Sequence, residues 1–331
     1  MKNKVSIVFT ARDDNYGGNL IDRINASVRT LINATNLLRS EIELIIVDYN
    51  PPKQRLLSDI LKIKNNRYLR VRFIVLPPKI HEGFPNNTRI KLFEYTAKNI
   101  GIRRATGDYI ISTNQDILFG FEFVKFLVQG NLKKTKFYRT NRIDVNISPD
   151  ILKLPAQKLL ERCKKDAYVK KTIKGDVFLS LFSIHALSAR LKNRIYLSYI
   201  FFHGLLNPKF AKAKILPHGY HTFAAGDFFM LHKSGWAKIR GFDETKEGND
   251  YLDGYALIMA GCVGMKQEII EEAMYHVDHL MSKAGRPSVN FLQFVKNCNY
   301  MIRTGRPYKT NSKDWGLAER RLKEVVTPFA R

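Results

Sequence analysis

Cysteine is scarce, acidic residues are outnumbered, and long apolar runs are missing from this chain. Its three cysteines, Cys163, Cys262 and Cys298, stand far apart among 331 residues. They form no CxxC pair and no even set, which argues against a zinc motif or disulfide framework and for a reducing compartment. No stretch of about 18–20 uninterrupted apolar residues occurs, so no segment reads as a bilayer span. The opening ten residues are basic and then apolar, like the start of a signal peptide. Their apolar part is only a strand's length and runs into Ala11-Arg12-Asp13-Asp14, so it reads as a first buried strand. The sequence shows no internal repeats and no low-complexity tract. Together these absences predict a cytoplasmic globular protein, peripheral at the inner face of a membrane if it meets one.

The deficit of acid is uneven. Lys and Arg total 55 against 30 Asp and Glu, for a net charge of +25. Residues 131–222 hold 19 basic against 5 acidic side chains, and residues 281–331 hold 11 against 3. The rest of the chain is close to neutral. Basic charge confined to such segments fits a surface for a polyanion, either anionic lipid headgroups or nucleic acid, or else a highly solvated face. Nucleic acid is disfavoured because no helix-turn-helix, zinc-finger or RNP-like motif is present.

What is present is an alternating pattern. Strand-like runs at 5–10, 43–48, 71–76 and 109–113 alternate with helical stretches at 20–38, 56–64 and 88–105. This order predicts an α/β fold with a mostly parallel central sheet and helices on both faces. Residues 131–222 read as a basic, aromatic-rich helical insert, with a charged helix at 152–174 and apolar stretches at 177–191 and 195–206. Those stretches fit either an ordinary hairpin on the core or an interfacial helix in a headgroup layer. Residues 223–280 return to core-like composition, and 281–331 read as a basic helical extension.

The run at 109–113 stops on Asn114-Gln115-Asp116. Oxygen-bearing side chains at the carboxyl end of a buried strand lie where open α/β sheets bind ligands. Two oxygen ligands one residue apart suit a hard divalent cation held against phosphates.

The preceding run, Ala97-Lys98-Asn99-Ile100-Gly101-Ile102-Arg103-Arg104-Ala105-Thr106-Gly107-Asp108-Tyr109-Ile110-Ile111, resembles a unit of the family 2 nucleotide-sugar glycosyltransferases, which have the GT-A fold. It is the helix-strand unit that precedes their D-x-D metal motif, and the resemblance is to the bacterial polysaccharide-type subgroup. Asn114 stands for the first Asp of that motif, leaving Asp116 as principal ligand for Mn²⁺ or Mg²⁺. The resemblance implies Thr10, Arg12, Asp13, Asp48, Asn99, Arg103 and Asn114 as nucleotide-sugar contacts. It implies 1–130 as the nucleotide-sugar half of the domain and 223–280 as the acceptor half.

A second block, Ala225-Gly226-Asp227-Phe228-Phe229, followed by Trp236 and Gly241-Phe242, is similar to the family's acceptor-side element, with Asp227 on the acceptor side. An Asp opening the next helix serves there as base, and Asp253 is the first candidate with Asp250 in reserve. The family's eleven-residue spacing to the Gly ending that helix fits both Asp253–Gly264 and Asp250–Gly261. A third block, Tyr275-His276-Val277-Asp278-His279, is similar to the Y-H-x-[DE]-H of related enzymes and implies a His ligand. If the segment is extended, alternation admits only one of His276 and His279 to the metal, His276 being favoured. The implied partners are a nucleoside diphosphate sugar donor and a glycan or lipid-linked acceptor. A catalytically inactive GT-A scaffold and a basic nucleic-acid-binding protein are the rival readings.

Overall fold

The computed structural model describes the chain outside residues 1, 53–54, 62, 64–66, 181–183, 192–193, 196–197, 199–215, 217, 246–247, 249, 280–289 and 327–331. Its eleven described strands form one sheet. They are β1 (Val5–Ala11), β2 (Ile42–Tyr49), β3 (Leu69–Leu76), β4 (Tyr109–Thr113), β5 (Ile117–Leu118), β6 (Lys136–Val145), β7 (Ala167–Thr172), β8 (Gly175–Phe178), β9 (Phe228–His232), β10 (Lys266–Val277) and β11 (Lys323–Val326). Their order is β11-β3-β2-β1-β4-β9-β6-β10-β5, with β7 on β6 and β8 on β7. β1–β4, β6, β8 and β10 run one way, and β5, β7, β9 and β11 run the other. The mostly parallel α/β expectation is met.

The seven helices before the hairpin are α1 (Leu20–Leu38), α2 (Leu57–Ile60), α3 (Pro78–Glu82), α4 (Glu94–Arg104), α5 (Phe121–Gln129), α6 (Pro149–Leu152) and α7 (Ala156–Lys165). β1 and β2 are buried along their whole length, so most of their residues are apolar on both faces, as a sheet covered on two sides demands. Ile7, Phe9, Leu44 and Ile46 pack under α1 and α5 on one side. Val8, Ile45 and Val47 pack on the other with Ile100 of α4 and with the helices Lys233–Ile239, Leu252–Cys262 and Phe291–Thr304. α4 lies close against the strands because Gly101 has no side chain: a Cβ there would stand 2.4 Å from Val8 Cγ1.

Several expectations are corrected. The helix at 88–105 begins only at Glu94, and the one at 56–64 is a single turn, Leu57–Ile60. The segment from 131 does not leave the sheet: Lys136–Val145 forms β6, between β9 and β10. Its many polar residues masked it, because Arg139 and Asp144 are buried and Arg142 partly buried, held in ion pairs and hydrogen bonds rather than exposed. The helix at 152–174 splits into α6, α7 and the strand β7. Within the basic extension, Phe291–Thr304 is helical, whereas 323–326 is the edge strand β11. Most of the apolar stretch at 195–206 and the start of the basic extension fall outside the described residues.

Candidate active site

The strand order 3-2-1-4 reverses direction between β1 and β4, so the loops after these two strands diverge and leave a crevice at their carboxyl ends. Asp116 follows β4 at this point and is 2% exposed. β5, which starts next to it, pairs with the end of β10, with His276 opposite Ile117, and Val277 N–H donates to the Asp116 carbonyl at 3.2 Å. This pairing delivers both histidines. His279 Nε2 lies 3.0 Å and His276 Nε2 3.9 Å from Asp116 Oδ2. The alternation expected to exclude one of them does not apply, because β10 ends at Val277 and His279 turns back from the loop.

Arg23, on α1, completes the group with an Nη1 that donates to Asp116 Oδ2 at 2.9 Å. Sequence reasoning missed it, since an Arg in the first turn and a half of an amphipathic helix ordinarily faces solvent. Burial opposes the Asp116 charge, but His276, His279 and Arg23 more than offset it and hold the carboxyl well below the usual carboxylate range. Its Oδ1 is buried with no hydrogen-bond partner among the described residues.

The donor set tests well against a divalent cation. One ligand atom each from Asp116, His276 and His279 lies within 4.8 Å of the others. The orphaned Oδ1 is a lone-pair donor with nothing to hold, which buried carboxylates rarely tolerate. His276 also has a carboxylate behind it: Nδ1 lies 3.2 Å from Asp144 Oδ1, the arrangement that fixes the ring of a metal-binding His. Arg142 Nε in turn lies 2.6 Å from that oxygen. Burial opposes the Asp144 charge, but Arg142 and His276 bring its carboxyl down to about 2.

The loop after β1 covers the cluster. Tyr16 stands edge-on to His279, with ring centroids 5.2 Å apart, and its carbonyl accepts from Arg23 Nη2. Gly17, with φ +71°, lies against the same ring, and a Cβ would stand 2.4 Å from His279 Nδ1 and 2.9 Å from Arg23 Nη2. Gly17→Ala is therefore expected to displace His279, weakening Mn²⁺ binding measured by calorimetry at least about tenfold. Its left-handed backbone adds a stability cost of about 1 kcal/mol in denaturant unfolding.

Asn114 faces the other way. Its Oδ1 accepts from Lys98 Nζ at 2.7 Å and its Nδ2 donates to Asp227 Oδ1 at 2.6 Å. Lys98 is fully buried and also donates to Glu94 Oε1 at 2.7 Å and to the Gly226 carbonyl at 2.9 Å. A lysine thus takes the oxygen that a metal would take in a D-x-D motif. The Glu94–Lys98 spacing of four was the available signal for it. Asp227 precedes β9, whose Phe228 pairs with Thr113, and is also bridged by Arg142 Nη1.

Asp253 lies in the first turn of Leu252–Cys262 and accepts from its neighbour Gly254 N–H at 2.8 Å. A Cβ on Gly226 would stand 3.4 Å from its Oδ2, so the carboxylate lies against the segment carrying Asp227. Burial raises its affinity for a proton, opposed by the Gly254 N–H, Lys98 and Arg139. Asp250 lies in the preceding turn. The glycine that follows the helix end is Gly264, with φ +86°, whereas Gly261 is still helical.

The upstream expectations divide. Thr10, Arg12, Asp13 and Asp48 do gather at the ends of β1 and β2. Thr10 Oγ1 donates to the Val47 carbonyl at 3.0 Å, Arg12 Nε to the Asn50 carbonyl at 3.0 Å, and Asp13 pairs with Arg55. Asp48 is fully buried, with Oδ2 accepting Leu57 N–H and Oδ1 unpartnered. Burial raises its carboxyl to about 6. Since the folded chain holds this proton more tightly than the unfolded one, ionisation of Asp48 costs stability as pH rises from about 4 through about 6. Asp48→Asn should stabilise the fold by on the order of 2–3 kcal/mol above pH 7 in denaturant titrations. The gain should vanish below about pH 4.

Asn99 and Arg103 are placed elsewhere. Asn99 is fully buried, and its amide bonds Phe242 N–H and carbonyl and Glu244 Oε1, all between 2.8 and 2.9 Å. It clamps the 242–244 segment and has nothing left for a nucleotide. Arg103 lies at the carboxyl end of α4, where the chain turns into the start of β4, and stacks 4.9 Å over Trp315. That is the opposite edge of the sheet from Asp116.

Among solved structures, the chain is similar to the mannosyltransferase PcManGT from Pyrobaculum calidifontis in complex with GDP-Man and Mn²⁺. The identity is 10% over 96% of this chain and 72% of that one, with a TM-score of 0.39. It is also similar to the galactosyltransferase LgtC in complex with donor and acceptor sugar analogues, at 18% identity over 43% of this chain and 46% of that one, with a TM-score of 0.28. No family model and no curated protein matches the sequence.

Proposed function

We propose that the chain is a metal-dependent glycosyltransferase of GT-A type that moves a hexose from a nucleoside diphosphate sugar to an acceptor hydroxyl. The observation that carries this reading is Asp116 at the switch point of the sheet, with one buried oxygen unpartnered among the described residues and the other facing two imidazoles. Asp253 lies across the Asn114–Asp227 pair from it. The reading places donor binding in 1–130 and acceptor binding in 223–280.

Asp116, His276 and His279 would hold the cation, and two imidazoles beside one carboxylate favour Mn²⁺ over Mg²⁺. When bound, it supplies positive charge against the leaving diphosphate. Arg23 adds a fixed cation to the same pocket, where negative charge develops in the transition state. The Tyr16–Gly17 loop lies over this end and shields it from water.

Asp48, with a free oxygen and a raised proton affinity, is suited to accept from a nucleobase N–H or a ribose hydroxyl, and Arg12 and Asp13 border it. At the other end Asp253 takes the acceptor proton as the hydroxyl oxygen attacks C1, inverting its configuration. Lys98 and Arg142 keep Asn114 and Asp227 fixed between the two ends. The acceptor is a glycan or a lipid-linked glycan in polysaccharide synthesis at the inner face of a membrane.

Thermal-shift screening of nucleoside diphosphate sugars with Mn²⁺ and Mg²⁺ tests the reading. One donor should stabilise the protein by about 2.7 kcal/mol at a hundredfold excess over its dissociation constant, and only with metal present. Stabilisation by DNA or RNA, with none by any donor, would reverse the choice.

A further inference from the structure

Within the basic segment lies a helix built the wrong way round for a protein in water. Residues 184–191 are helical, here α8, and Arg194 and Ile195 resume the helical conformation. The inward face carries small residues: Ala186 is buried against Tyr168 and Val169, with Phe178 and Ala189 beside it. The large aliphatic residues point out. Ile184 is 80% exposed, Leu187 51%, Leu191 60% and Ile195 60%. The spacing of three and four residues from Ile184 through Leu187 to Leu191 puts these three in one stripe. A soluble amphipathic helix turns such a stripe inward.

We propose that this stripe is a docking surface for an anionic lipid bilayer, entered by α8 lying in the headgroup layer. Charge chooses the occupant. Residues 167–195 contain six basic side chains, Lys170, Lys171, Lys174, Arg190, Lys192 and Arg194, against the single acid Asp176. On the helical projection Arg190 falls along one border of the stripe, where a long side chain can lay its stem on apolar surface and reach phosphate. Arg190 already stacks 4.8 Å over Phe178. The β7–β8 hairpin also exposes Ile173, Val177 and Leu179. An apolar stripe bordered by cations is the composition of an interfacial helix, and anionic lipid adds about 1 kcal/mol for each nearby Lys or Arg. A second copy of this chain would bring the same cations together.

This surface deepens the membrane part of the proposed function, and it can be tested apart from sugar transfer. The full-length protein is sedimented with phosphatidylcholine vesicles, with and without phosphatidylglycerol. Binding should require phosphatidylglycerol and weaken with salt. The triple variant Ile184→Ser, Leu187→Ser, Leu191→Ser should partition at least about tenfold less, as each lost side chain removes apolar burial. Arg190→Glu with Arg194→Glu should lose the preference for phosphatidylglycerol. Both variants should unfold at the wild-type temperature and bind nucleoside diphosphate sugar in solution as the wild type does. Equal binding to both vesicles, unchanged partition of the triple variant, or a lowered melting temperature would overturn the proposal. So would a concentration-dependent dimer that the triple variant converts to monomer without any vesicle binding. Failure to bind a donor in solution speaks only against the transfer reading.

Discussion

Asp253→Asn should lower kcat by about 10²–10⁴-fold, the range lost when a positioned general base is removed. Donor affinity should stay near wild type, because Asp253 lies against Gly226 and supplies none of the ligand atoms grouped at Asp116, His276 and His279. The amide keeps the size of the carboxylate and can still accept the Gly254 N–H, so the helix start survives. Before mutation, the same residue should show itself in the pH profile. The base works only when ionised, and burial raises its affinity for protons. Activity should therefore fall as pH drops, starting at a higher pH than an ordinary carboxylate would give, and this limb should be missing in Asp253→Asn. If Asp250→Asn instead produced the larger loss with Asp253→Asn fully active, the base has been assigned to the wrong turn.

The alternation of strands and helices up to residue 130 was legible because both faces of the sheet are covered, so β1 to β4 are predominantly apolar runs. β6 was not legible. It is a central strand that carries Arg139, Arg142 and Asp144, and its charges are neutralised by partners distant in sequence, such as Asp227 and the carbonyls of residues 221–225. A pattern of hydrophobicity cannot show a charge whose partner lies some 80 residues away.

The site was legible in part for a similar reason. The run from Ala97 to Ile111 pointed to the right edge of the sheet, yet much of it serves packing. Asn99 clamps the 242–244 segment, and Gly101 lets α4 approach β1. Arg104 donates to the carbonyls of Gly316, Leu317 and Arg320. Arg23, which bonds Asp116, lies outside this run, and Lys98 within it is buried and bonds Asn114. The departure at Asn114 also changes meaning. With Lys98 on its oxygen, a second carboxylate there would meet an ammonium group instead of a metal.

Asp116→Asn should have the second large effect. The amide halves the oxygen donors and removes the charge, leaving Arg23 buried beside two imidazoles without an anion. Removing one partner of a buried ion pair costs about 3–5 kcal/mol, so the variant should also be less stable. The double change Asp116→Asn with Arg23→Met removes both charges and should recover much of that stability while leaving metal binding lost. Stability and metal affinity are thereby separated.

The most direct test is calorimetric titration of Mn²⁺ and a nucleoside diphosphate into the wild type, into the wild type with chelator, and into the Asp116→Asn, Arg23→Met variant. The account predicts nucleoside diphosphate binding that needs Mn²⁺, disappears with chelator and is lost in the variant. Nucleoside diphosphate binding that is equally tight without metal, or intact in the variant, would contradict it.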